Sequence, residues 1–75
     1  MYVILVYDVE EKRVAKMLKL CRRYLNWIQN SVFEGELTEF KLKELLHEAR
    51  SIIDNDADSI IIFKSREQKW LDKLV

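Results

Sequence analysis

Apolar positions run almost without interruption from Tyr2 through Val3, Ile4, Leu5 and Val6 to Tyr7. A continuous run rich in β-branched and aromatic side chains is the mark of a strand covered on both faces, and it predicts a central strand. Strand alternation puts Val3, Leu5 and Tyr7 on one side and Tyr2, Ile4 and Val6 on the other, so both sides need cover. After Asp8 the period lengthens. Val14, Met17, Leu18, Cys21 and Leu25 fall on one face of a helix predicted from about Glu11 to about Leu25. The stretch from Asn26 to Leu37 alternates around Trp27, Ile28, Val32 and Phe33, holds the single glycine, Gly35, and reads as two short strands or one strongly bent one. Thr38 is suited to cap a second helix, with Glu39 favourable in its first turn. The apolar face of that helix is Leu42, Leu45, Leu46, Ala49, Ile52 and Ile53, within about 120° on a helical wheel. Asp54 to Asp58 forms a polar turn, Ser59 to Lys64 is a second buried strand, and Trp70 to Val75 starts a last strand or an edge segment.

The order strand, helix, strand or hairpin, helix, strand predicts one α/β (α+β) domain over residues 1–75, a ferredoxin-like βαββαβ sandwich with two helices on one face of an antiparallel sheet. The other sheet face is then apolar and bare, and a second copy of the chain is the economical cover, giving a homodimer. Size points the same way. A chain of 75 residues buries a small core, and the single Cys21 excludes an intrachain disulfide framework. The apolar start lacks a basic leader and a cleavage site, and no apolar run approaches a membrane span, so the expectation is a cytoplasmic protein with no membrane contact.

The formal charge is zero, from 13 basic and 13 acidic residues, yet the charges are segregated. Glu10 to Leu25 holds six basic and two acidic residues, whereas Glu34 to Asp58 holds eight acidic and three basic. Lys12, Lys16, Lys19 and Arg23, spaced four, three and four apart, line one helix face opposite the apolar one. Such a row is either a solvated helix face or a track for phosphates, bound without regard to sequence. Asp8 also has two readings that can coexist. With Glu11 three residues on, it fits a helix-capping arrangement; at the end of a central strand, it is placed to serve a ligand. Two copies of Asp8 brought together across a dimer axis would suit one hard cation with several waters, as magnesium prefers.

Other chemistry is poorly supplied. Asp54, Asp56 and Asp58 imitate the opening of a calcium loop, but Ser59 stands where its glycine belongs and Ser65 where its closing glutamate belongs. His47 has no second histidine to pair with, Cys21 reads as a buried filler, and one glycine cannot build a phosphate loop. Trp27 and Trp70 read as core or interface anchors rather than base-stacking platforms. Any reaction here is therefore directed by metal and phosphate, not by a thiol or histidine nucleophile.

The run from Tyr2 to Asp8, Lys12-Arg13-Val14 at the helix start, Ile28-Gln29-Asn30-Ser31-Val32-Phe33-Glu34-Gly35-Glu36-Leu37 and Asp58 to Phe63 resemble, in order and over essentially the whole chain, the CRISPR-associated Cas-two family. The Gln-x-Ser-Val-Phe-x-Gly pattern is the specific part. The resemblance implies a ferredoxin-like homodimer between dimers of the Cas-one integrase, spanning duplex DNA captured as a new spacer; several members are described as magnesium-dependent endonucleases on single-stranded RNA or DNA. Asp8 matches the strand-end aspartate assigned the metal and, through it, a catalytic role. Arg13 matches a basic position associated with nucleic acid, and Phe33 matches the aromatic of the Ser-Val-Phe segment, expected at an interface. Trp27 departs from the family at a position that is usually basic. Relatives usually continue with a strand that crosses to the partner's sheet, and the end at Val75 leaves that strand short or missing.

Two functions follow as expectations. One is an architectural role in CRISPR adaptation, with Lys12, Arg13, Lys16, Lys19 and Arg23 on the nucleic acid. The other is a metal-dependent phosphodiesterase centred on Asp8, with toxin-type ribonucleases of the same fold as a further option. A ligand-sensing module is disfavoured by the shortage of small polar pocket residues.

Overall fold

In the computed structural model, which describes residues 1–66, the first strand β1 (Tyr2–Asp8) lies between two others in a sheet of four, in the order β2-β3-β1-β4. Both pairings of β1 are antiparallel: Leu5 stands opposite Phe33 of β3 (Val32–Glu36) on one side and Ile62 of β4 (Ser59–Ser65) on the other. With helices α1 (Glu11–Arg22) and α2 (Glu39–Arg50) the chain has the expected βαββαβ order. The segment after Gln29 resolves as a hairpin. Strand β2 (Asn26–Gln29) turns at Asn30, whose positive φ of 42° suits asparagine, and its register to β3 slips between Trp27 and Gln29.

The core lies between the helices and one sheet face. Val3, Leu5, Tyr7 and Phe33 meet Met17, Leu20 and Cys21 of α1 and Leu42, Leu45 and Ala49 of α2, all buried. Tyr7 and Phe33 stack with ring centroids 6.0 Å apart. Gly35 lies opposite Val3, and a Cβ there would sit 3.1 Å from Leu25 Cδ2, so a side chain would require Leu25 to yield by a few tenths of an ångström. Tyr24 closes the helix layer, its hydroxyl 2.7 Å from a Glu48 oxygen and 2.8 Å from one of Glu44. The hydroxyl has one proton to donate, and these carboxylates, Glu48 foremost, hold it well above the usual tyrosine range.

Several expectations change in detail. Helix α1 stops at Arg22, and Leu25 enters the core from the following turn, its N–H bonded to Cys21 O at 2.8 Å. Leu20 is buried where Val14 was expected, and Val14 is exposed. Helix α2 ends at Arg50, so Ile52 and Ile53 pack from beyond it. Thr38 caps α2 as expected, its Oγ1 accepting from Lys41 N at 3.1 Å. The expected segment from Trp70 to Val75 lies outside the described residues.

Candidate nucleic-acid interface and strand-end carboxylate

The sheet face away from the helices is covered by neither helix, although Ile4 at its middle is only 2% exposed. Alternation gives it Tyr2, Ile4, Val6 and Asp8 of β1, and the register adds Phe63 opposite Ile4 and Ile61 opposite Val6. Ile61 and Phe63 are 52% and 48% exposed, an apolar strip that water reaches. Glu34, opposite Ile4, has a carboxylate oxygen buried without a hydrogen-bond partner among the described residues.

Asp8 stands at the end of this strip, exposed, and opposite Ser59. It does not cap α1: the residue before the helix is Glu10, and no side chain caps there. The work of fixing the helix start falls to Asp58. Its Oδ1 accepts from the Glu10 backbone N–H at 2.9 Å and from Arg13 Nη2 at 3.1 Å. Its Oδ2 accepts from Arg13 Nε at 2.5 Å and from the Asp54 backbone N–H at 2.9 Å. Four donors on one carboxylate satisfy its acceptor positions, and the Arg13 hydrogen bonds above all hold its carboxyl well below the usual carboxylate range. The sequence carried no signal for this cluster, because Arg13 and Asp58 are 45 residues apart; the polar turn was legible, its partner was not.

No group of three or more His, Cys, Asp or Glu that could hold a metal forms among the described residues, around Asp8 or elsewhere. A hydrated magnesium ion needs only one or two carboxylates, so Asp8 fits the ion if a second copy brings its own. Cys21 is buried and its thiol is pushed up to about 12 by desolvation, which removes it as a nucleophile. His47 is exposed.

The row Lys12, Lys16, Lys19 and Arg23 is exposed throughout and lies on the outer side of α1, away from Met17, Leu20 and Cys21. Lys12 leans on Glu10 at 3.8 Å and Arg23 on Glu48 at 3.8 Å, distances at which exposed pairs hold weakly. Lys16, Lys19 and Arg23 line a groove of about 280 Å³ between α1 and α2, with Glu48, Ser51 and Ile52 on its far side. Arg13, expected with them, is drawn inward, its side chain only 13% exposed against Asp58. Phe33, expected at an interface, is fully buried in the core of the chain itself. Its neighbours on β3 point to the face opposite the helices, and the ring does not. No helix among the described residues is long and apolar enough to cross a membrane.

The family model described as CRISPR associated protein Cas2 matches residues 1–73. A protein of Thermotoga maritima named CRISPR-associated endoribonuclease Cas2 is 54% identical over 69 residues, covering 92% of this chain and 79% of its own. One of the same name from Dictyoglomus turgidum is 47% identical over 75 residues, covering 100% and 86%. The crystal structure of Streptococcus pyogenes Cas2 at pH 6.5 superposes with a TM-score of 0.85 at 33% identity, over 97% of this chain and 94% of that one. Fold and whole-length similarity agree, and the chain belongs to the CRISPR-associated Cas2 family.

Proposed function

We propose that two copies of this chain pack through the sheet face opposite the helices, that the α1 row carries nucleic acid by its phosphates, and that the dimer serves CRISPR adaptation by presenting duplex DNA to an integrase. The observation that carries this reading is the opposition of two surfaces. The apolar strip of Ile61 and Phe63 is on one side of the sheet and the cations are on the outer side of the helix layer. Pairing through the first leaves both copies of the second open. The Glu34 oxygen, buried without a hydrogen-bond partner among the described residues, adds an acceptor on this face that a donor from a second copy would satisfy.

A second reading is favoured by Asp8 and by the endoribonuclease name that the relatives carry. In a pairing whose two-fold axis passes near the end of β1, the two Asp8 carboxylates would stand close to each other. Magnesium held by these carboxylates would supply neutralisation of phosphate charge and a more acidic water. The chain's own part is to hold Asp8 at the end of a strand anchored beside Asp58 and to draw the phosphate backbone in with Lys16, Lys19 and Arg23. None of the described residues stands beside Asp8 as an evident general acid, and for that reason the architectural reading leads.

One experiment separates the two. Labelled duplex DNA and single-stranded RNA are titrated with the protein and with Asp8→Ala, with magnesium or with chelator, over a salt series. Salt-sensitive duplex binding that survives Asp8→Ala without cleavage supports the scaffold. Magnesium-dependent cleavage that vanishes in Asp8→Ala establishes the enzyme. Absence of duplex binding at low salt, with the integrase added, removes the scaffold reading.

A further inference from the structure

Trp27 lies on an edge strand, opposite Phe33 in register, yet half of its surface is open to solvent. Its indole Nε1–H donates to the Asn30 carbonyl oxygen at 2.8 Å, within the same hairpin, so the ring is oriented by its own turn and its one polar group is already satisfied. The Arg22 guanidinium carbon lies 5.9 Å from the ring centroid, a cation on an aromatic face. The segment that carries Trp27 is basic in sequence, although in space Glu48 of α2 stands 3.8 Å from Arg23. From Lys12 to Phe33 there are six basic residues and no aspartate or glutamate.

An exposed Trp beside an Arg is equally the composition of a protein-binding hot spot. Charge decides between the two. A protein partner would have to be acidic to meet Lys16, Lys19 and Arg22, whereas a nucleic-acid strand meets these exposed cations, with Arg23 shared with Glu48, and then an aromatic face. Basic residues that follow the backbone, interleaved with rings that accept any base, are how single strands are held without sequence preference.

We propose that Trp27, with Arg22, is a stacking site for an unpaired nucleobase, taking single-stranded nucleic acid where it leaves the backbone track on α1. This rests on the reading of α1 as a phosphate-binding surface and adds to it a preference for strand ends or single-stranded tails. Asn26, Gln29 and Asn30, all exposed on the same hairpin, supply amide groups within the reach of a base edge.

The test uses the chain carrying Trp70→Phe, so that Trp27 is the one indole, after its oligonucleotide affinity is shown to match that of the unaltered chain. It is titrated at low salt with oligothymidylate, with an abasic oligonucleotide of equal length, and with blunt duplex. Expected are quenching of Trp27 fluorescence by oligothymidylate and not by the abasic strand, and an affinity for oligothymidylate roughly 5- to 150-fold weaker in Trp27→Leu, restored in large part by Trp27→Phe. Equal binding of all three probes by Trp27→Leu and the parent, with no quenching, overturns the stacking site and leaves the phosphate track standing. Binding of none of them overturns both. Fluorescence that ignores every oligonucleotide but shifts with added integrase overturns base stacking and assigns the patch to a protein contact.

Discussion

Arg13 grips Asp58 through two hydrogen bonds, Nε to Oδ2 at 2.5 Å and Nη2 to Oδ1 at 3.1 Å, and so ties the first turn of α1 to the residue that precedes β4. The same carboxylate takes the backbone N–H groups of Glu10 and Asp54. Because Ser59, next in sequence, pairs with Asp8, this cluster also fixes the strand end on which the candidate carboxylate stands. Asp58→Asn keeps the size but loses the charge and turns an N–H2 toward donors. Its melting temperature at neutral pH should fall by at least about 5 °C, the loss expected when a buried polar network of a small domain is broken. A midpoint within about 2 °C of the parent, by calorimetry, would reduce the cluster to decoration.

Asp58 also gives the fold a pH dependence of definite sign. Its carboxyl is depressed when folded, so the unfolded chain binds the proton more readily. The stabilisation is present above the unfolded value near 4 and is lost as pH falls through that value toward the folded one. Urea midpoints of the parent and Asp58→Asn, measured from pH 7 down to about pH 2.5, should therefore converge on acidification. A gap that stays constant over that range would mean the carboxylate's charge is not what stabilises the helix start.

How far these features could be read from the sequence depends on their range. Local patterns sufficed for both helices, for Thr38 as a cap and for the existence of strands β1 and β4, because period and capping chemistry are set within a few residues. They misled on the burial of β4, which was expected to be buried and instead lies at the end of the strand order with Ile61 and Phe63 half exposed. The hairpin was undecided, since the positive φ of Asn30 and the register slip before Gln29 both depend on pairing with β3. The α1 row was visible as spacing, yet spacing could not tell Arg13 from Lys16. Arg13 turns inward only because Asp58, far along the chain, arrives beside it. Phe33 was misjudged for a related reason: strand alternation does not say which face the helices will cover, and it was Leu5 opposite that put the ring in the core.

Cys21 should behave as part of the core. With no exposed surface and a thiol pushed up to about 12, it should resist a thiol reagent at pH 8 in native buffer and react promptly once urea unfolds the chain. Rapid labelling of the native protein would show that α1 opens locally and that its hold on the sheet is weaker than the burial of Cys21 implies.

Lys16 and Lys19 stand on the outer side of α1 and line the groove toward α2. Replacing each with Gln should leave the fold intact and weaken duplex binding uniformly across sequences. The slope of log affinity against log salt should become shallower by about 0.9 for each lysine that meets a phosphate. Arg13→Gln should act differently, lowering the melting temperature through Asp58. An unchanged slope in the double lysine variant would place the phosphates elsewhere.

Ile61 and Phe63 test the face opposite the helices directly. Ile61 lies opposite Val6 and is 52% exposed in the single chain, so Ile61→Lys should cost the isolated fold little, within about 0.5 kcal/mol. In a dimer through this face the same lysine would be buried without a partner, a penalty of several kcal/mol by the usual order of magnitude. Sedimentation should then find the parent chain as a dimer and Ile61→Lys as a monomer with unchanged circular dichroism, while Lys19→Glu, on the opposite side of the molecule, stays dimeric. Dimerisation that tolerates Ile61→Lys would mean that the copies meet along another surface. The two Asp8 carboxylates would then have no reason to approach each other, and the metal-centred reading would lose its geometry along with the dimer.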